Sequence, residues 1–267
     1  MEPALVAQGI RHTYRSRQGE LQALDGIGLT VGKGEFVAIV GPSGCGKSTL
    51  LRILGGLLTP TEGTVEMGKE LPGSLRRQVG YVFQNVNLMP WRTVLRNVTL
   101  PLEISGTPGP RAQQIARELL ALVGLDGFEQ VYPRELSGGM AQRVAIARAL
   151  AGQPEVLLLD EPFGSLDAMS REQMNLELLR VWRAQRVTAV MVTHDLQESV
   201  FLADRVLVMS PRPGRIQAEV VVDLPRPRTL DVIYTEFFGA LSRRVRDSIG
   251  SSENVKGQAK THNKGRR

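Results

Sequence analysis

One stretch of nine residues constrains this chain more than any other. It begins directly after the apolar run Phe36–Val40 and ends where the helix-like segment 50–54 begins. A strand, a glycine-rich turn and a helix in this order, with the spacing G-x-x-x-x-G-K-[ST], are typical of a loop that binds nucleotide phosphates. The residues of the stretch are Gly41, Pro42, Ser43, Gly44, Cys45, Gly46, Lys47, Ser48 and Thr49.

The residue types of this loop indicate its chemistry. Glycines let successive backbone N–H groups curl around phosphate oxygens, and the start of the helix turns its unpaired N–H groups toward the same anion. Lys47 is placed to reach the β- and γ-phosphates, and the Ser48 hydroxyl is placed to ligate Mg²⁺. The sequence therefore predicts a nucleotide site.

The composition of the chain indicates which class of protein carries this site. The 267 residues are 42% hydrophobic and 22% charged, which is ordinary for a globular protein. The longest apolar runs are far below the ~20 residues needed to cross a bilayer. The N-terminus has neither the basic start nor the apolar stretch of a signal peptide. We therefore expect a cytoplasmic chain that serves a membrane, if at all, from its surface.

Most of the net charge of +6 lies at one end of the chain. Residues 250–267 contribute +4 of it, because they hold five Lys or Arg residues and one Glu. They are polar and show no helical periodicity, so we expect a disordered, basic tail. A solvated or weakly anion-attracting tail explains this composition better than a nucleic-acid site does.

Cys45 is the single cysteine of the chain. It cannot form an intrachain disulfide, which fits a reducing compartment. Its position beside a helix N-terminus and Lys47 predicts that the thiolate is favoured. We expect its alkylation to block nucleotide binding, but a redox role is not favoured, because any small residue fits at this place.

Strand and helix patterns alternate along the rest of the chain. Between about 87 and 151 the pattern is helical, whereas strand patterns precede and follow this segment. The predicted strands are 5–12, 24–31, 35–40, 64–67, 79–83, 156–159, 188–192, 205–209 and 216–222, and the predicted helices are 94–104, 112–123, 140–151, 169–183, 196–203 and 230–249. An α/β sheet that is interrupted by a helical insertion and then resumes explains this order.

Two adjacent carboxylates end the apolar strand at 156–159. Asp160 can hold Mg²⁺ through water opposite Ser48. Glu161 points elsewhere and is placed to polarise a water in line with the γ-phosphate. Two adjacent acids at a strand end often only form part of a solvated turn. Because they follow a phosphate-binding loop in the same chain, the functional interpretation is favoured.

A second anion-binding helix start follows the helical segment 112–123. Ser137 is a good N-cap, and Gly138 and Gly139 leave backbone N–H groups exposed. A simple kinase or GTPase would not need this second start. The Asn-Lys-x-Asp pattern that reads guanine is also absent from the sequence.

Taken together, these motifs resemble those of the ATP-binding subunits of ABC transporters, over roughly residues 5–222. The resemblance implies a P-loop NTPase with a RecA-like mixed sheet as its core, an N-terminal antiparallel β subdomain and an α-helical insertion. It implies an ATPase domain over 1–223, a linker and helix over 224–249, and a tail over 250–267. The motifs that carry it are residues 41–49, Gln84, the signature 136–140, Walker B at 156–161, the D-loop 165–167 and His194.

The resemblance also implies roles for single residues. Two subunits would pair head to tail, as a homodimer or with a paralogous subunit, so that each ATP lies between one phosphate-binding loop and the partner's residues 137–139. Glu161 would be the general base, and His194 would bridge the γ-phosphate and the attacking water. Gln84 would sense the γ-phosphate and contact Mg²⁺, and Asp167 would link the two active sites. Tyr14 falls where the family stacks an aromatic ring on adenine, although a packing role is also open.

Weaker cues concern the branch of the family. Met140, where Gln is usual, and the segments 88–94, 162–167 and 210–214 resemble the nitrate, sulfonate and taurine importers. The resemblance implies integral-membrane permease subunits, an extracytoplasmic solute-binding protein and a peripheral location at the cytoplasmic face of the cell membrane.

A soluble ABC ATPase acting on nucleic acid or the ribosome is the alternative, disfavoured because the chain has one cassette and no long coiled coil. A regulatory module that binds ATP without hydrolysis is a third, disfavoured by Glu161 and His194.

The apolar segment 86–91 has no evident partner in the pattern. In the family this region forms the groove that receives a cytoplasmic helix of the permease. The alternative is that Trp91 belongs to the core of the helical insertion.

Overall fold

Two sheets and seven α-helices make up the part of the chain that the computed structural model describes, which is residues 2–17, 19–67 and 79–261, with the backbone alone for 251–261. The first sheet is antiparallel, with the order β2-β1-β4. Its strands are β1 (Pro3–Ser16), β2 (Gly19–Gly32) and β4 (Glu62–Met67). The first two are longer than predicted, because the hairpin stays paired down to Ser16 and Gly19 although its end is polar and exposed.

The second sheet has six strands in the order β5-β6-β7-β3-β8-β9. All neighbours are parallel except β8 and β9, so five strands end at one edge. The inner strands are apolar and buried on both faces, as expected for a parallel sheet covered on each side. The strands are β3 (Phe36–Val40), β5 (Val79–Val82), β6 (Val156–Asp160), β7 (Thr188–Val192), β8 (Arg205–Met209) and β9 (Ile216–Val221).

Helices cover this sheet and form the predicted insertion. Alternate residues of β3 enter two different cores: Val37 and Ile39 pack with α1 and the first sheet, and Phe36 and Ala38 pack with the helical side. The α-helices are α1 (Lys47–Leu54), α2 (Val94–Ile104), α3 (Gly109–Leu122), α4 (Gly138–Ala151), α5 (Ala168–Gln185), α6 (Leu196–Leu202) and α7 (Glu236–Thr261). The predicted α/β fold with an antiparallel N-terminal sheet and a mixed sheet is confirmed.

The C-terminal segment differs from its prediction. A short 3₁₀ helix, Leu230–Tyr234, precedes α7, so 230–249 is not one helix. The break lies at Thr235, whose backbone is extended and whose hydroxyl accepts a hydrogen bond from the N–H of Phe238 at 3.3 Å. The helix then continues to Thr261, into the segment predicted to lack structure, and the remaining tail residues 262–267 lie outside the described residues. None of the helices within the described ranges is long and apolar enough to cross a membrane.

Candidate functional site

The loop at residues 41–49 connects β3 to α1 at the edge where the parallel strands end. Gly44 and Gly46 have φ values of +72° and +109°, which L side chains rarely adopt. A Cβ on Gly41 would lie 2.9 Å from the carbonyl oxygen of Met209, so the close packing of β8 also requires glycine. Buried Lys47 donates from Nζ to the carbonyl oxygens of Gly41 (2.8 Å) and Pro42 (3.1 Å), and its amine therefore lies across the mouth of the loop.

Ser48 and Asp160 meet at the same edge. The Ser48 hydroxyl donates to Oδ1 of Asp160 at 2.8 Å, and the Tyr81 hydroxyl donates to Oδ2 at 3.4 Å. Burial raises the pKa of Asp160, which is 3% exposed, and it also raises the pKa of Tyr81. A hydroxyl beside a buried carboxylate supplies the hard oxygen ligands that Mg²⁺ prefers, and a bound cation would offset the cost of burying this charge. These residues therefore fit Mg²⁺.

Glu161, His194 and Gln84 converge beyond the ends of β5, β6 and β7. Nδ1 of His194 lies 3.0 Å from Oε2 of Glu161, and Nε2 of Gln84 donates to the same oxygen at 3.4 Å. Glu161 has a φ of +44°, a left-handed conformation that is uncommon outside glycine and is found at functional sites. This turn directs the side chain away from Asp160, so the two adjacent acids have different neighbours.

One open cleft of about 590 Å³ is lined by Ser48, Glu161, His194 and Gln84, and Asp160 is bonded to Ser48 without lining it. Tyr14, 38% exposed, forms part of its wall, and its hydroxyl is 3.1 Å from the Thr49 hydroxyl. Sequence reasoning missed Leu21 and Ala23, which β2 places there, and Arg212, which donates to the carbonyl oxygen of Gly44. The lining residues are Tyr14, Leu21, Ala23, Ser43, Gly44, Gly46, Lys47, Ser48, Thr49, Gln84, Glu161, His194 and Arg212.

Eight of the predicted site residues do not line this cleft. Four of them, Gly41, Pro42, Cys45 and Asp160, adjoin lining residues in the chain or by a hydrogen bond, and the other four belong to two other helix starts. Ser137 caps α4 by accepting a hydrogen bond from the N–H of Met140 at 3.3 Å, and Gly138 and Gly139 form the first turn. Asp167 caps α5 through the N–H of Ser170 at 3.0 Å, and that hydrogen bond lowers the pKa of Asp167. Ser137, Gly138 and Asp167 are exposed and Gly139 is partly so, which leaves a second helix start open at the surface.

The prediction that Cys45 favours the thiolate is wrong. Its side chain is 1% exposed, and burial raises the pKa of the thiol although Lys47 lowers it. The thiol packs under the loop, at 3.1 Å from the position that a Cβ on Gly41 would take. Loss of hydration therefore destabilises the thiolate more than the positive charge of Lys47 stabilises it.

A buried acid supports the segment that carries His194. The Thr193 hydroxyl donates to Oε2 of Glu198 and accepts from the N–H of Asp195 at 3.0 Å. Oε1 of Glu198 has no hydrogen-bond partner among the described residues, and burial raises the pKa of this carboxyl to about 7. Asp195 caps α6 and is paired with Arg171 at 3.1 Å. No sequence signal marked Glu198 or Arg171.

The loop, the oxygen pair and the cleft at the edge of a parallel sheet define a P-loop nucleotide-binding protein. Comparison with known proteins then gives the family. The family model described as ABC transporter matches residues 24–164. An uncharacterized ABC transporter ATP-binding protein of Methanocaldococcus jannaschii is 50% identical over 85% of both chains. The chain belongs to the ABC transporter family, and it is an ATPase.

Further relatives and a solved structure agree with this result. The aliphatic sulfonates import ATP-binding protein of Bacillus subtilis is 41% identical and covers 95% of this chain and 94% of its own. The nitrate import ATP-binding protein of Synechocystis is 47% identical over 81% of both chains. A dimeric ATP-binding cassette in a post-hydrolysis state, bound to ADP and Pi, has a TM-score of 0.72 and 35% identity and covers 83% of this chain and all of that one.

Proposed function

We propose that this chain is the ATP-hydrolysing, energy-coupling subunit of an importer for a small anion such as nitrate, a sulfonate or taurine. The names of the sulfonate and nitrate import relatives support this solute class. An extracytoplasmic solute-binding protein would read the solute, and the ATPase would act through permease subunits. We place it peripherally, at the cytoplasmic face of the cell membrane.

Within one chain, the predicted residues in and beside the cleft have roles that their positions support. Tyr14 stacks on the adenine ring, and residues 41–49 hold the phosphates, with Lys47 reaching the β- and γ-oxygens. Ser48, Asp160 and Gln84 hold Mg²⁺, which supplies charge neutralisation at the phosphates. Glu161 accepts the proton of the attacking water, and His194 orients that water and the γ-phosphate.

The observation that carries this proposal is the separation of the two anion-binding helix starts. The cleft contains the start of α1, while the start of α4, at Ser137 and Gly138, is open at the surface. In a head-to-tail dimer the start of α4 closes over the partner's ATP, and Asp167 contacts the opposite site. The dimeric ADP-bound cassette supports this arrangement.

Complementation between two inactive chains tests it. Lys47→Ala removes phosphate binding, and Gly138→Asp places a carboxylate at the open helix start without a steric clash, since the nearest atom to an added Cβ is 3.7 Å away. Each variant alone is expected to be inactive. An equimolar mixture should recover about a quarter of wild-type ATPase, because half of the dimers are mixed and each has one intact site. No recovery in mixtures that do form mixed dimers would refute the shared site.

The segment that carries Trp91 is bonded to α4, since Arg148 donates to the carbonyl oxygens of Val86 (3.0 Å) and Asn87 (2.9 Å). Trp91 is 73% exposed, so it is not part of the core of the helical insertion. Val86 and Leu88 are partly buried against that core, which fixes the segment and leaves the indole free. We propose that this exposed ring contacts a cytoplasmic helix of the permease.

A further inference from the structure

A second cleft, of about 450 Å³, lies between the C-terminal half of α5 and the segment after β9. Four arginines line it and no acidic residue does, whereas its remaining surface is apolar. The arginines are Arg180, Arg183, Arg226 and Arg228, and the other lining residues are Leu176, Leu179, Ala184 and Pro227. Buried or crowded arginines usually have carboxylate partners, so this composition needs an explanation.

Arg228 is the buried member of the group, with a side chain only 1% exposed. Its Nη1 donates to the carbonyl oxygens of Val200, Phe201 and Ala203 at the C-terminal end of α6. Its Nε is buried and has no hydrogen-bond partner within the described ranges. The hydrogen bonds to the end of α6 therefore use only some of the N–H donors of this guanidinium, and the Nε donor stays unpaired.

The positive charge of the cleft is incompletely balanced. Asp204 bonds Arg226 at 2.7 Å and lies 3.9 Å from Arg228. Burial and the neighbouring Arg226 lower the pKa of Arg228 to about 10. The Arg183 side chain is exposed and forms no hydrogen bond or ion pair with any residue that the structure describes. Nε of Arg228 is enclosed by protein, so an anion in the cleft would accept hydrogen bonds from the exposed donors, those of Arg183 first, and would relieve the repulsion.

We propose that this cleft binds a small anion with a phosphate or sulfonate group attached to an apolar portion. A tetrahedral group offers several acceptor oxygens, which match the multiple N–H donors of guanidinium groups. The apolar portion lies against Leu176 and Leu179. The volume falls in the range of small-molecule sites, and both a soluble metabolite and a lipid headgroup carry this chemistry.

The cleft is separate from the nucleotide site. Helix α5 begins beside Asp167 and rises ~1.5 Å per residue, so Arg183 lies about 24 Å along the axis from that start. Asp204, the partner of Arg226, also accepts a hydrogen bond from the N–H of Phe36, the first residue of β3, whereas the loop 41–49 follows the last residue of that strand. The two sites therefore lie at opposite ends of β3.

Trp182 reports binding through Arg226, which lines the cleft. The guanidinium carbon of Arg226 lies 4.3 Å from the centre of its ring. The chain has two tryptophans, and the other, Trp91, is exposed, so Trp91→Phe leaves Trp182 as the single emitter. Adding Lys47→Ala removes anion binding at the nucleotide site. This variant is titrated with inorganic phosphate, with hexanesulfonate, and with phosphatidylglycerol or phosphatidylcholine vesicles, at matched ionic strength in chloride.

We expect a saturable change in Trp182 emission with the anionic probes. Arg183→Gln should weaken the apparent affinity about fivefold, as the loss of one charged donor at an exposed position does, and Arg183→Lys should weaken it less. Arg111→Gln removes an exposed arginine from the far end of α3 and should change nothing. Response to free anions identifies a soluble ligand, and response only to phosphatidylglycerol vesicles identifies a headgroup. Absence of saturation with every probe, or equal affinity in Arg183→Gln, overturns the proposal.

Discussion

Nη1 of Arg171 donates to Oδ2 of Asp195 at 3.1 Å, and so α5 is tied to the residue that follows His194. The same guanidinium donates from Nη2 to the carbonyl oxygen of Leu166 at 2.9 Å. One side chain therefore connects the loop after β6, which begins with Glu161, to the loop after β7. The 3.0 Å contact between Glu161 and His194 joins the same two loops within the cleft.

We predict that Arg171→Lys lowers kcat for ATP hydrolysis about tenfold while KM for ATP changes less than twofold. Lysine keeps the charge but cannot bond both loops at once, and Arg171 does not line the nucleotide cleft. The measurement is steady-state ATPase over a range of ATP concentrations. Arg183→Lys on the same helix is the control and should retain wild-type values. An equal rise in KM would show that Arg171 acts through nucleotide binding instead.

The fold and most of the nucleotide cleft could be predicted because their signals are local. Residues 41–49 and 156–161 each combine a strand, a turn and reactive groups in one short run, and the shared edge of a parallel sheet brings them together. Arg171 gave no signal because its carboxylate partner, Asp195, is 24 residues away. Glu198 gave none because the sequence does not show that its carboxyl is buried. The ionisation of Cys45 was mispredicted because local charge is visible in sequence and burial is not.

Glu161→Gln should reduce ATP turnover by a factor of about 10²–10⁴ while leaving ATP binding intact. Glutamine keeps the shape and the contact with His194 but cannot accept a proton from water. Rapid-quench hydrolysis and ATP binding, measured on the same preparation, separate the two effects, and gel filtration with ATP should show an accumulated dimer. Glu172→Gln, at an exposed position on α5, is the control. Undiminished turnover would remove Glu161 as the base.

Cys45 should react slowly with a thiol reagent at pH 7.5 in the folded chain. Its side chain is 1% exposed and burial raises its pKa, so both access and thiolate fraction are small. Because Cys45 is the only cysteine, a reagent that releases a chromophore when it reacts with a thiol measures the reaction of Cys45 alone. We expect the rate to rise at least ~10-fold when urea unfolds the chain. Fast reaction without denaturant, with full protection by ATP, would instead mean that the loop opens readily.

Trp91→Ala is expected to weaken coupling to the permease while the ATPase activity of the isolated chain stays within about 20% of wild type. The indole is 73% exposed, and its loss leaves no cavity in the core. Solute uptake into vesicles containing the assembled importer measures coupling. Tyr234→Ala removes an aromatic residue that is 83% exposed in the 3₁₀ helix before α7 and serves as the control. Equal uptake by wild type and Trp91→Ala would contradict a permease contact at this ring.

Glu198 should make stability fall as pH rises. Its pKa is raised from 4.5 to about 7, with burial as the largest cause, Asp195 and Glu161 acting in the same direction and Arg171 opposing them. Between these values the folded chain binds a proton that the unfolded chain has released, so the free energy of unfolding declines with pH across this window. Glu198→Gln resembles the protonated form and lacks this decline. Relative to wild type, it should therefore gain up to about 3 kcal/mol between pH 4.5 and pH 8 in urea unfolding. Parallel pH profiles for the two proteins would show that the carboxyl is ionised in the folded chain throughout, and that Thr193 is held by a carboxylate rather than by a carboxylic acid.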